Sequence, residues 1–390
     1  MQLVNKYFSS DDFERVDKLF KKQILDKNRL VADISGWSDT SSDLEGFFSK
    51  IQFEGKNINW YHSNNHPGLK RKFISILRLI EKWEDGRSLD LSNITYCQSS
   101  TLASQIILAS LQSLGVNKII FETPEYFATS LQSKKLGFKN IYIPTYSHNN
   151  YQFSISRKLI KNNSPCAVWI TQPRASMGTD QDIKYIRSII DMLGKNNFLV
   201  IDEAVEQKFP SLLSGLSGRL DSVIRFRNFY KPLGINGPRI AFIIHPKTIS
   251  STIREHTTMY GGAIDYFSLQ LAYHHSQKHD VFRSLLNIAN QQVLKIRAKV
   301  EQSLLGEKNW HVIPTSNGYL GAIRLNFGSK NHFFHRNKLI RFCVQQGVPI
   351  LLGSHMGFAF ENGEEHIRVN YYNRPFHILE GIEILKKYTN

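Results

Sequence analysis

Phe198-Leu199-Val200-Ile201-Asp202 is a run of four apolar residues closed by a carboxylate, and the rest of the chain can be read outward from it. A run this short and this apolar predicts a buried strand, with the polar residue at its C-terminal end. Upstream, residues 182–193 have helical periodicity, and strands are expected at 167–171, 140–143, 118–122 and 94–97. Helices are expected between them at 126–136 and 101–114. Downstream, further strands are expected at 222–226 and 239–244. Strands alternating with helices of this length predict an α/β fold whose mostly parallel sheet is covered on both faces.

Past Thr248 the pattern changes. A long helical region including 281–305 leads to strands at 319–325 and 366–371 and helices at 332–346 and 376–388, which together predict a smaller α+β C-terminal domain. The division is expected as an N-terminal arm contributing to the small domain (1–45), a large domain (46–285) and a small domain (286–390). The arm opens with an amphipathic helix at 11–25, in which Phe13, Val16, Leu19, Phe20 and Ile24 share one side. A loop-rich stretch, Asp33 to Asp39, and a helix at 69–83 follow.

The 390 residues are 41% hydrophobic and 12% aromatic, the make-up of a globular enzyme-sized protein. No apolar run reaches the roughly 18 residues of a membrane span, and no secretory signal opens the chain. The three cysteines, Cys97, Cys166 and Cys343, are scattered without metal-like spacing, so a cytoplasmic location is expected and no metal. The formal charge of +16 is spread along the chain without a basic run, which favours a solvated surface over a nucleic-acid site.

Ligands of open α/β sheets bind beyond the C-terminal ends of the strands, so the polar residues there carry the chemistry. They are Ser99-Ser100-Thr101 after the first strand, Tyr126 after the second, Asp202, and the segment Asn228-Phe-Tyr-Lys231-Pro-Leu-Gly234-Ile-Asn-Gly237-Pro-Arg239. Arg368 stands on the late strand His366-Ile-Arg-Val-Asn-Tyr371. Each has a plainer reading: Ser99 to Thr101 as a helix cap, Asp202 as a strand terminator, Tyr126 as a core residue and Arg368 as a surface residue. It is their order and gaps that single them out.

In that order they resemble fold-type I pyridoxal-phosphate enzymes of the aminotransferase class I/II family, from about Trp60 to the C-terminus. The resemblance implies pyridoxal 5'-phosphate held as a Schiff base on Lys231, which later moves protons at the substrate α-carbon. Asp202 would then pair with the pyridine nitrogen, and Tyr126 would stack on the ring. Ser99, Ser100, Thr101, Asn228 and Arg239 would hold the phosphate, and Arg368 the substrate α-carboxylate. It also implies a homodimer with shared active sites, for which Tyr61, seven residues ahead of Gly68, and Tyr260 are the cross-subunit candidates.

Two departures from the family pattern bear on function. Its usual turn asparagine is replaced by Ala175 in Gln172-Pro-Arg174-Ala175-Ser-Met-Gly178, and its tyrosine after the aspartate is replaced by Val205. Both normally bond the cofactor's phenolic oxygen, and the neighbouring Arg174 is expected to take over unless it is a solvent-facing turn residue. The leading expectation is an aminotransferase acting on an L-amino acid. The alternative is a lyase, cyclase or oxidative enzyme of secondary metabolism, similar to capreomycidine synthases and taking a hydroxylated or guanidino amino acid. In that case Asp33 or Asp39, near Gly36 at the substrate mouth, would receive the cationic group unless both merely shape the loop. A non-enzymatic sensor or nucleic-acid binder is the third possibility, supported only by the positive charge.

Overall fold

The computed structural model describes residues 10–36, 91–145, 151–152, 154–208, 211, 213, 221–261, 264–328, 332–358 and 363–388. The expected helix at 69–83, the boundary at 45/46, Asp39, Tyr61 and Gly68 lie outside these residues. The strand that anchors the sequence reading is β5 (Phe198–Asp202), and its side chains explain why it sits in the middle of a layered fold. Leu199 and Ile201 point into one apolar core, with Ile186, Ile189 and Leu193 of helix α5 (Ile183–Leu193). Val200 points into another, with Ile106, Ile107 and Leu111 of helix α2 (Ser100–Ser113). A strand that is apolar at every position is stable only with both faces covered, as here.

The large sheet has seven strands in the order β1-β7-β6-β5-β4-β2-β3. They are β1 (Ile94–Cys97), β2 (Lys118–Thr123), β3 (Lys139–Pro144), β4 (Cys166–Thr171), β5, β6 (Val223–Asn228) and β7 (Ala241–Ile244). All neighbours run parallel except β7, which is antiparallel to β1 and β6. Strand β6 runs through Asn228, past the expected end at 226. Its Arg225 and Arg227 are buried, Arg225 against Glu203 at 2.7 Å. Helix α4 (Arg157–Asn163) and the short strand β8 (Trp310–Val312) were not expected.

The remaining elements build around a second, antiparallel sheet, β10-β9-β8, with β9 (Leu320–Asn326) and β10 (Glu364–Asn370). Helix α1 (Ser10–Phe20) and the turn that continues it to Leu25 place Val16, Phe20 and Ile24 in one core with Leu339, Cys343 and Val348. Leu339 and Cys343 belong to α9 (His332–Gln346). The division expected near Leu285 falls inside α8 (His279–Ser303), a 25-residue helix. Its Leu285, Ala289 and Val293 share a continuous core with Phe229 on one side and Ile323 on the other. No helix among the described residues is long and apolar enough to cross a membrane.

Candidate active site

Parallel strands end on a common edge, so Thr171 and Asp202 stand side by side at the ends of β4 and β5, with β6 beside them. Asp202 is buried, and its Oδ1 accepts the Ala204 amide at 2.8 Å. At the end of β6, Asn228 Oδ1 accepts the amides of Tyr230 (2.9 Å) and Lys231 (2.8 Å), bending the chain sharply. Lys231 thus begins a single tight turn, Lys231–Leu233, closed by Gly234. Gly234 has φ +73°, and a Cβ there would come within 2.8 Å of the Tyr372 ring, so conformation and space both demand glycine.

The turn brings Lys231 Nζ to 5.6 Å from the ring centroid of Tyr126, the residue that opens helix α3 (Phe127–Lys135). Across the edge, Ser99 caps α2 by accepting the Leu102 amide at 3.1 Å. Next to it the buried Ser100 hydroxyl has no hydrogen-bond partner among the described residues. Arg368 reaches in from β10, with Nη2 donating to Ser35 O at 2.6 Å. Ser100, Thr101, Tyr126, Asp202, Lys231 and Arg368 line one cavity.

Burial dominates the electrostatics. It pushes the Lys231 ammonium down, with Arg368 and Arg239 adding to the depression and Asp202 opposing it. It pushes the Asp202 carboxyl up to about 6, against the Ala204 amide and Lys231 and with help from Glu203. Mutual attraction would move both groups the other way, so for this pair desolvation outweighs charge pairing. Arg368 is lowered to about 10, again by burial first.

Six expected residues therefore meet in the cavity, while the others take different places. Ser99 serves as the cap, and Asn228 holds the lysine turn. The Arg239 side chain is exposed and acts on Lys231 only through its charge, while its amide donates to Ser268 Oγ. Gly36 borders a neighbouring cavity rather than this one. Tyr260 is exposed and stacks on His256 at 5.8 Å.

Arg174 is not among the residues that line the cavity. Its Nε lies 3.1 Å from Glu122 and donates to Gln181 at 3.2 Å, and its Nη1 donates to Tyr151 O at 2.6 Å. The reason is Glu122, a fully buried carboxyl that burial raises to about 7 and that needs a counter-charge. Gln172 is turned away too, bonded to Asp180 and to the Gln181 amide, each at 2.8 Å. Ala175 and Val205 do line the cavity, together with Pro173, so this edge is largely apolar.

Thr129, Thr171 and Ser176 also line it and were not singled out from the sequence. Thr171 ends a strand just as Asp202 does, so the same rule would have found it. Ser176 gave no sequence signal; it adopts φ +58°, in the left-handed region that few non-glycine residues occupy.

The profile of the family described as aminotransferase class I and II matches residues 50–374. The chain belongs to that family. Pyridoxal 5'-phosphate is the family's cofactor. Among curated relatives, histidinol-phosphate aminotransferase of Buchnera aphidicola subsp. Cinara cedri is 23% identical over 203 residues, covering 51% of this chain and 53% of the relative. LL-diaminopimelate aminotransferase of Prochlorococcus marinus is 24% identical over 173 residues, covering 41% and 40%. The chain thus spans about half the length of the curated relatives it matches. Solved structures match over far more of the chain. A Thermus thermophilus aspartate aminotransferase mutant superposes with TM-score 0.76 at 12% identity, covering 96% of both chains. A PLP-dependent aminotransferase from Streptococcus suis gives 0.73 at 16%, also covering 96% of both. At such identities the likeness is one of fold, here fold type I.

Proposed function

We propose that the protein is a pyridoxal-phosphate-dependent aminotransferase acting on an L-amino acid, with Lys231 as the residue that carries the cofactor. The observation that carries this reading is a single cavity holding Lys231 over Tyr126, the buried carboxyl Asp202, the orphaned Ser100 hydroxyl and the Arg368 guanidinium. These residues fit the cofactor. An unsatisfied hydroxyl at the N-terminus of a 14-residue helix suits a phosphate, and a buried carboxyl suits a protonated ring nitrogen.

When bound, the cofactor supplies an electron sink for the substrate's α-carbon. The protein's residues supply the rest. Asp202 would hold the proton on the ring nitrogen, and Tyr126 would offer its aromatic face to the ring. Arg368, fixed by Ser35 O, orients the α-carboxylate. Lys231, its pKa depressed by burial, is more readily neutral than an exposed lysine and takes the α-proton.

Three buried free cysteines are in keeping with a reducing cytoplasm. A lyase, cyclase or oxidative outcome is the second reading, favoured by the apolar edge of Pro173, Ala175 and Val205 where the family places polar partners. The cofactor's absorbance decides between these. Wild-type protein should gain the cofactor band on addition of pyridoxal phosphate, and Lys231→Ala should lose or shift it. A band converted by an amino acid and restored only by an added keto acid supports transamination. Multiple turnovers without a keto acid support the second reading. Absence of the band from the wild type refutes both.

A further inference from the structure

On the far side of Arg368 lies a second cavity, of about 1190 Å³, and the same guanidinium lines both. Phe13, Val16 and Phe20 of α1, Phe127 of α3, and Ile350 and Leu351 form much of its wall. An aromatic run leads into it from the first cavity: Tyr126 to Phe127 at 5.1 Å, Phe127 to Phe13 at 4.3 Å, Phe13 to His355 at 5.7 Å.

The charged and polar groups on this wall are already engaged. Asp17 pairs with Lys21 at 2.7 Å. Asp33 Oδ1 accepts the amides of Ser35 (3.1 Å) and Gly36 (2.6 Å), shaping its own loop. His355 Nε2 faces Arg336 Nη2 at 2.6 Å, and because a guanidinium only donates, Nε2 accepts and the ring carries its proton on Nδ1.

We infer that this chamber receives the substrate's side chain, and that the preferred substrate is an amino acid with a large apolar, above all aromatic, side chain. This rests on the function proposed above. An α-carboxylate held at Arg368 brings the substrate up to the guanidinium that also lines the chamber, at the start of the aromatic run. A second carboxylate, a phosphate or a guanidinium would enter an apolar space whose charges are already paired, at a desolvation cost. A phenyl ring gains from burial there and from contact with Phe13 and Phe127.

Acids that lack the amino group cannot react, so they report binding alone. Isothermal titration of the cofactor-loaded protein should show 3-phenylpropanoate binding at least ~10-fold tighter than succinate or 4-guanidinobutanoate. Phe13→Ala and Phe127→Ala should each shrink that ratio severalfold, and two variants guard against one of them misfolding. In turnover, kcat/KM for phenylalanine should exceed that for alanine by ~30-fold or more. Tighter binding of succinate or the guanidino acid overturns the inference, even if the cofactor band forms as proposed. If the protein takes up no cofactor, the proposed function fails separately. The same titrations on cofactor-free protein then read the chamber, and equal affinities for the three acids overturn it.

Discussion

The two cavities that share Arg368 treat buried charge in opposite ways. In the first, Asp202 and Lys231 are each shifted toward neutrality by burial, and the Ser100 hydroxyl has no hydrogen-bond partner among the described residues. In the second, Asp17 faces Lys21, Asp33 holds two amides, and His355 accepts from Arg336. The first keeps polar capacity in reserve for a ligand, which costs the free protein stability. The second has used its polar capacity internally and offers mainly apolar area. Polar chemistry and side-chain choice are thereby separated within a few residues, with one guanidinium as the wall between them.

The strongest way to break this contrast is Lys231→Ala. Turnover should fall by ~10³-fold or more with the cofactor band lost or shifted, as expected when a positioned proton carrier is removed. Near-normal turnover would mean that the charge held in the first cavity is incidental. Arg368→Gln comes next and tests the shared wall. It should lower kcat/KM ~10- to 100-fold, mostly through KM, and by similar factors for small and bulky amino acids. A loss confined to bulky substrates would assign Arg368 to the chamber alone.

Asp202→Asn in the cofactor-free protein measures the stability cost directly. The Asp202 carboxyl titrates near 6 when folded, against the ordinary 3.8. Its penalty is therefore absent below the ordinary range and grows as pH rises to and through about 6. Chemical denaturation should show the asparagine variant gaining about 2–3 kcal/mol relative to wild type between pH 4 and pH 7. A pH-independent difference would mean that Asp202 is not held in the raised state. The smallest effect is expected at Ser35, whose hydroxyl donates to Arg368 O at 2.6 Å and accepts the Leu351 amide at 3.0 Å. Ser35→Ala should cost about 1–2 kcal/mol by the same measurement.

Much of the first cavity was legible in the sequence, because its residues follow strands whose apolar runs are unmistakable. Asp202 closes Phe198 to Ile201, and the bend at Asn228 to Gly234 is dense in turn residues. The chamber was not legible. The apolar stripe of α1 predicted a buried face, but nothing local showed that Phe13 would meet Phe127 and His355. The ion pair of Arg174 was not legible either, because its partner, the buried Glu122 of β2, lies far upstream. The expected strand at 222–226 likewise stops just short of Arg227, whose buried side chain belongs to β6. Local periodicity reveals which face of an element is buried, while the pairing of buried charges is settled only by the tertiary fold.

The bond from Ser35 to Arg368 joins residues 333 positions apart. Everything from Ser35 to Arg368 must therefore be synthesised before the wall between the cavities can form. A nascent chain can pair β1 to β7 and pack their helices well before that point, since those contacts lie within residues 94–261. Helix α1 must wait for α9 to leave the ribosome, because Leu339 and Cys343 of α9 cover its apolar stripe. During synthesis, then, the catalytic edge precedes the selectivity chamber, and α1 is the segment through which a chaperone would be expected to engage the unfinished chain.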